Sequence, residues 1–163
     1  MSTLAFMAPE LAAPEALASP LLRALAAADP ALGLQDLSRL GKVELRGDVA
    51  ALAPEPGEEL LRLTPQRAFV LAEGEVAGTV ERARAAGLRA YDVSGAWAGL
   101  ALSGEPLMRR LTELDLDSLP TAGALAHVTA LLFRDGDRFR IFVPQELGHY
   151  LVEVVLDMAE GLA

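Results

Sequence analysis

Asp36-Leu37-Ser38-Arg39-Leu40-Gly41-Lys42-Val43-Glu44-Leu45-Arg46-Gly47-Asp48 is the key to the architecture, because the chain repeats its plan further on. Asp92-Val93-Ser94 leads through Leu100 and Leu102 to Gly104-Glu105 in the same way. The interval from Asp to Gly is 11 residues in the first copy and 12 in the second. The segment after each copy is echoed as well. Leu60-Leu61-Arg62-Leu63 passes through Thr64-Pro65-Gln66-Arg67 into Phe69-Val70-Leu71. Leu131-Leu132-Phe133-Arg134 passes through Asp135-Gly136-Asp137-Arg138 into Phe139-Arg140-Ile141-Phe142-Val143. Two similar halves imply a duplicated α+β unit. The expected organisation is a single domain, 1–163, built of two repeats at about 34–91 and 92–161, with an N-terminal arm over 1–19.

Upstream of the first copy, Ser19-Pro20 is a helix start, with Ser as cap and Pro in the first turn. Lys42 to Arg46 alternates polar and apolar residues, which predicts a half-buried strand. Glu59 to Leu63 and Ala68 to Ala72 read as a hairpin, and Glu75 to Ala86 as a helix closed by Gly87. Leu88 to Val93 and Ala98 to Leu102 read as strands, and a helix begins at Pro106. Asp115 to Gly123 reads as a loop. Leu125 to Phe133 and Arg138 to Val143 form a second hairpin across Asp135-Gly136-Asp137, the strongest turn signal in the chain. Gln145 to Gly161 is the last helix, with Leu147, Leu151, Val154, Val155 and Met158 on one face. This order predicts an α+β fold: two tandem ferredoxin-like βαββαβ-type halves forming a continuous antiparallel sheet covered by helices.

Composition narrows the function classes. The chain has 163 residues, a net charge of -9 and no cysteine. A positive surface is what phosphate backbones require, so nucleic acid is not an expected partner. Without thiols, disulfides, thiolate metal sites and cysteine nucleophiles are excluded. The first thirty residues are broken by Pro9, Pro14 and Pro20 and carry Glu10 and Glu15, unlike a secretory signal. No run approaches the ~20 apolar residues of a membrane span, so no membrane partner is expected and the cytoplasm is the default. Of 14 basic residues only Lys42 is a lysine, and asparagine is absent, a pattern compatible with a thermophile.

The residues that carry chemistry elsewhere read mostly as structure here. Neither His127, placed inside a strand, nor His149, on the last helix, has the companions of a metal site. Asp92-Val93-Ser94 contains a hydroxyl, but no base is placed beside it and the G-x-S-x-G elbow is missing. A strand-end turn, with Asp and Ser bonding backbone N–H groups, accounts for both D-x-S copies. Glu113, Asp115 and Asp117 lack the glycine and register of a calcium loop and read as a solvated acidic loop. Trp97 stands among small residues, so it either fills a groove against a partner or anchors the local core. No catalytic residue and no metal ligand is assigned. The ligand or interface candidates are Trp97, Asp92, Asp115, Arg46 and Arg134. Arg82, Arg84, Arg109 and Arg110 read as surface cations paired with nearby acids.

The repeated D-[LV]-S…L-x-G pattern resembles the folate-binding fold shared by glycine-cleavage aminomethyltransferases and their relatives. Within that group the chain is similar to the gamma subunit of heterotetrameric sarcosine oxidase. Ser19-Pro20-Leu21 resembles that family's early S-P-L, and Leu45-Arg46-Gly47-Asp48 its L-R-G-[DP]. Leu63-Thr64-Pro65-Gln66-Arg67-Ala68-Phe69-Val70 is similar to L-G-P-D-E-W-L-L. Asp92-Val93-Ser94 matches D-V-S, and Ser103-Gly104 resembles the S-G-P that starts the next helix. Asp115-Leu116 matches a D-L, and Phe139 to Tyr150 resembles F-x-L-x-V-x-R-S-F-x-x-Y. Gln145-Glu146 replace the Arg-Ser of the gamma family. The transferases' T-N-D loop would put its Asp on Asp115, but Glu113-Leu114 stand where Thr-Asn would be. Their catalytic hairpin carries acids, whereas Leu125-Ala126-His127-Val128-Thr129 has none. The resemblance implies the scaffold without the transferase chemistry, because nothing would stabilise an iminium cation.

Two functions are expected on these grounds. The first is a noncatalytic small subunit of a sarcosine oxidase-like flavin-dependent amine oxidase complex. The resemblance then assigns FAD, FMN, NAD and tetrahydrofolate to larger flavoprotein or folate-binding subunits, with no cofactor bound by this chain. The second is a stand-alone folate-fold protein, aminomethyltransferase-related, binding a pterin or small anion through Arg46, Arg67 and Arg134. A homo-oligomer, docked through the alanine-rich arm and Trp97, is a further possibility.

Overall fold

A computed structural model describes residues 19–162 of the chain. Apart from Ser19, the arm expected over 1–19 lies outside the described residues. The elements are α1 (Leu22–Leu25), β1 (Gln35–Asp36), β2 (Gly41–Arg46), β3 (Glu58–Thr64), β4 (Arg67–Ala72), α2 (Ala77–Ala85) and β5 (Arg89–Asp92). They continue with β6 (Trp97–Ser103), α3 (Glu105–Leu111), β7 (Thr121–Leu125), β8 (Val128–Asp135), β9 (Arg138–Pro144) and α4 (Gly148–Glu160). The fold is α+β and every strand pair is antiparallel.

The strands divide between two sheets rather than running on as one. Their orders are β3-β4-β2-β5 and β1-β6-β9-β8-β7. The physical reason lies in runs that are apolar on both faces. Phe69-Val70-Leu71 of β4 is continuously buried, so both of its faces need cover. Val70 faces α2 in a cluster with Val43, Leu45, Val76, Val80 and Ala83. Phe69 and Leu71 face the other sheet, against Leu37, Ala101, Leu131, Phe133 and Phe142. On the far side of the five-stranded sheet, Leu100, Leu102, Leu132 and Ile141 meet Met108 of α3 and Val152 and Val155 of α4. The layers are therefore helix, sheet, sheet, helices.

The two sheets are knitted by an exchange. Each D-x-S turn stands between a strand of one sheet and a strand of the other. The strand before the first turn, β1, pairs with β6, the strand after the second turn. The strand before the second turn, β5, pairs with β2, the strand after the first. Strand order β3-β4-β2-β5 thus repeats as β8-β9-β6-β1, with β7 added outside β8. A boundary at 91/92 leaves β1 on the chain of one half and in the sheet of the other.

Three further expectations are corrected. Leu125 to Phe133 is not one strand: β7 and β8 are separate, joined by Ala126 and His127 at φ 49° and 66°. Two residues in the left-handed region make a two-residue hairpin turn, so His127 lies in a turn, outside any strand. The β7 strand begins at Thr121, inside the expected loop. Last, α4 starts at Gly148 after a 3-10 turn at Gln145–Leu147. Its inward face is Leu151, Val152, Val155 and Ala159, whereas Val154 is half-buried and Met158 exposed. A side chain at Gly148 would lie 2.8 Å from Ala98 Cβ, so a glycine lets α4 begin hard against β6.

Candidate functional site

The two D-x-S turns meet where the sheets cross. Asp36 Oδ1 accepts the Ser38 amide at 2.8 Å, and Asp92 Oδ1 accepts the Ser94 amide at 2.9 Å. These are local side-chain-to-backbone bonds that short acids favour at turns. Each serine then grips the opposite half. Ser38 Oγ accepts the Gly99 amide at 3.1 Å, and Ser94 Oγ accepts the Lys42 amide at 2.9 Å. The backbone repeats the exchange: Leu37 N–H donates to Gly99 O at 2.7 Å and Val93 N–H to Lys42 O at 2.9 Å. Ser94 also donates its hydroxyl proton to Asp92 at 2.7 Å. Beside these turns lies a slot of about 160 Å³, lined by Ser38, Arg39, Ser94, Gly95, Trp97 and Gln145 among others.

Trp97 stands at the edge of the inter-sheet layer. Its ring packs edge-on against Phe69, centroids 6.0 Å apart, at the end of the inter-sheet layer. The same residue lines the slot. Asp92 is at the same place, holding the Ser94 turn.

The other candidates lie elsewhere and are engaged. Arg46 and Arg67 both bind Glu44, at 3.1 and 2.9 Å. Arg134 binds Glu105 at 2.9 Å and Asp117 at 3.4 Å, and its guanidinium lies 5.2 Å from the Phe139 ring centroid. The three arginines of the expected anion site are thus held by two separate sets of acids, Arg46 and Arg67 by Glu44 and Arg134 by Glu105 and Asp117. Asp115 accepts the Asp117 amide at 3.1 Å. The Ser118 hydroxyl and that amide hold its carboxyl below the usual range. Asp29, Asp36, Asp48, Asp92 and Asp115 all accept the amide two residues on. The acid-rich turns are thus accounted for as caps. Among the described residues no group of three His, Asp or Glu is placed to hold a metal ion. His149 instead pairs with Glu153 at 3.0 Å.

One residue was missed from the sequence. Lys42, the chain's single lysine, is 1% exposed. Its Nζ donates to Ser38 O at 3.0 Å and Leu40 O at 2.9 Å and stands 5.9 Å from the Phe142 ring centroid. Burial lowers its pKa to about 8, against the opposing pull of Asp36 and Asp92. The alternation of Lys42 to Arg46 suggested a solvated polar face, but that face points at the second sheet. The usable signal was the rarity of lysine in an arginine-rich chain.

No protein-family model and no curated protein sequence matches the chain. Solved structures do. One is a chain of the heterotetrameric sarcosine oxidase from Corynebacterium sp. U-96 in complex with pyrrole 2-carboxylate. It superimposes with a TM-score of 0.76 at 20% identity, over 90% of this chain and 97% of that one. A second is the glycine cleavage system aminomethyltransferase T from Bartonella henselae, with a TM-score of 0.55 at 18% identity. That match covers 76% of this chain and 45% of the transferase. The fold is therefore the one that the D-x-S resemblance implies, shared nearly end to end with a sarcosine oxidase chain and in part with an aminomethyltransferase.

Proposed function

We propose that the chain is a noncatalytic, gamma-like small subunit of a sarcosine oxidase-like flavin-dependent amine oxidase complex. The observation that carries this reading is the reciprocal coverage of the match, 90% and 97%, with one chain of a heterotetrameric oxidase. Two proteins that agree in fold over nearly all of both chains are candidates for the same place in an assembly. The use made of the acids supports it. The aspartates of both D-x-S turns cap backbone amides. Glu44, Glu58, Glu59 and Glu105 hold arginines. A carboxylate committed in this way is not a general base awaiting substrate.

On this reading FAD, FMN, NAD and tetrahydrofolate belong to larger flavoprotein and folate-binding subunits, and the complex is cytoplasmic. Among the described residues no helix is long and apolar enough to cross a membrane. The matched hydrogen bonds of the two D-x-S turns support a duplicated unit, about 34–91 and 92–161, as the origin of the scaffold. The carboxylate partners of Arg46, Arg67 and Arg134 favour the subunit reading over the stand-alone one.

The test is reconstitution. The chain is co-expressed with large flavoprotein and folate-binding chains of a sarcosine oxidase-like complex from the same source, and the products are weighed by light scattering. A stoichiometric complex that oxidises sarcosine is expected, with no turnover and no retained flavin in the isolated chain. Turnover by the isolated chain, or a chain that stays apart from those subunits, would overturn the reading.

A further inference from the structure

Three arginines stand side by side on one face of the four-stranded sheet. Arg46 of β2 lies opposite Arg67 of β4 on one side and opposite Arg89 of β5 on the other. Directly opposed residues share a face. The neighbouring row of Ala68, Leu45 and Ala90 is buried in the α2 cluster, so the arginines point the other way. From Arg67 to Arg89 the row spans roughly 10 Å, two strand spacings. It reaches the solvent: the side chains of Arg46 and Arg67 are 56% and 38% exposed, and Arg89 is exposed as well. Like charges directly opposite one another destabilise a sheet, so the row is kept against the interest of the fold.

The acids of the sheet leave this row positive. Glu44, partly buried one row along on the same face, binds both Arg46 and Arg67. Arg89 has no ion pair among the described residues. The other acids on these strands are engaged elsewhere. Glu58 holds Arg82 and Glu59 holds Arg140, each at 2.6 Å, and Asp92 caps its own turn at 2.9 Å. Asp48, two residues past Arg46, accepts the Ala50 amide at 3.2 Å. Three guanidiniums thus share one carboxylate, in a chain whose net charge is -9. The surface is also open. Cavities of about 160, 390 and 800 Å³ are lined by other residues, and small-molecule sites are concave. Beside the row, Tyr91 lies opposite Glu44 on the same face and is 46% exposed. Arginine and tyrosine together are what protein interfaces favour.

We propose that Arg67, Arg46 and Arg89, with Tyr91 beside them, form a docking surface for an acidic segment of a larger partner chain. Aspartates or glutamates spaced along that segment pair with the row, since each guanidinium can hold a carboxylate through two hydrogen bonds. Arginine clusters recognise acidic motifs in this way. Glu44 orients Arg46 and Arg67, and Arg89 supplies the cation that the chain itself leaves unmatched among the described residues. That the segment belongs to a larger chain rests on the subunit reading above; the chemistry of the row does not.

Two labelled ten-residue peptides test the chemistry by fluorescence anisotropy at low salt. One alternates glutamate with serine, and the other has glutamine in place of glutamate. Arg89→Gln removes one member of the row. Arg62→Gln makes the same change of net charge on the α2 side of the sheet, where Arg62 lies opposite Ala68. The glutamate peptide is expected to bind the unaltered chain and Arg62→Gln alike, and Arg89→Gln at least threefold more weakly. The glutamine peptide is expected to bind at least tenfold more weakly than the glutamate peptide. Arg89→Gln is expected to melt no lower than the unaltered chain, because it relieves a repulsion. No binding of the glutamate peptide, an equal loss in Arg62→Gln, or a lower melting temperature in Arg89→Gln overturns the proposal. Displacement of the peptide by an equimolar amount of inorganic pyrophosphate does so too, by assigning the row to a small anion. So does a homodimer in light scattering that Arg89→Gln dissolves, which would give the row to a second copy. Reconstitution separates the two readings, with weaker assembly expected of Arg89→Glu. If the larger subunits assemble equally well with that variant, the docking surface is wrong and the subunit reading stands. If the peptides discriminate as expected but no larger subunit assembles, the chemistry of the row is upheld and the subunit reading fails.

Discussion

Lys42 and Gly99 occupy equivalent positions, each five residues before the glycine that ends its strand. Each donates its amide to the serine of the opposite D-x-S turn, at 2.9 and 3.1 Å. Only one of them brings a side chain into the space between the sheets. The amine of Lys42 enters that layer, while at position 99 the room is taken by Phe142 and Leu37.

The buried amine predicts a rise in stability at alkaline pH. In the folded chain Lys42 loses its proton near pH 8, and in the unfolded chain near 10.5. Between these values the unfolded state binds more protons, so stability increases with pH across that window. The full gain is at most about 3 kcal/mol. Urea titrations at pH 7, 8.5 and 10 check it, with Lys42→Met expected to remove the slope. A slope that survives in the variant would assign it to other groups.

Gly99→Ala should destabilise by about 1–3 kcal/mol, the usual cost of overpacking. The added Cβ would lie 2.8 Å from Phe142 Cε1 and 2.9 Å from Leu37 Cβ, the second of which belongs to the exchanged turn. Thermal and urea unfolding measure the effect. An unchanged midpoint would mean that the two sheets can move apart without penalty.

Ser94→Ala removes the acceptor of the Lys42 amide. A buried N–H left unpaired costs about 1–3 kcal/mol, and Ser38→Ala should behave alike through Gly99. Trp97 is the only tryptophan and lines the slot beside both serines. Its emission is expected to shift to the red in both variants as the turns loosen. If one serine alone matters, the two crossings are not energetically equivalent.

The sheets are also tied by Arg140 of β9 and Glu59 of β3, with Nη2 to Oε1 at 2.6 Å and a second bond from Nη1. The Arg140 hydrogen bond holds the Glu59 carboxyl below its usual range, against partial burial. This stabilisation is present above the ordinary glutamate pKa and is lost as pH falls through the lowered folded value. Glu59 is half exposed, so Glu59→Gln should cost only about 0.5–1 kcal/mol at neutral pH. The difference from the unaltered chain should shrink as pH falls below the ordinary glutamate range. Acid denaturation curves of the two proteins provide the comparison.

Residue order alone specified the local pieces. The Asp-Gly-Asp turn, the hairpins, the caps at Asp36 and Asp92 and the antiparallel habit come from short-range chemistry. Turn glycines, proline at helix starts and period-two apolar residues act over a few positions and leave their mark along the chain. The echo between halves was legible there too, and with it the fold. Tertiary contacts were needed to make β1 and β5 change places and to stack the sheets. They alone turned Lys42 toward a second apolar layer and left Met158 outside. Which side of a strand or helix meets another layer is set by residues fifty or more positions apart, such as Ser94 with Lys42. No local pattern encodes such a contact, because an alternating strand looks the same whether its polar face meets water or a second sheet.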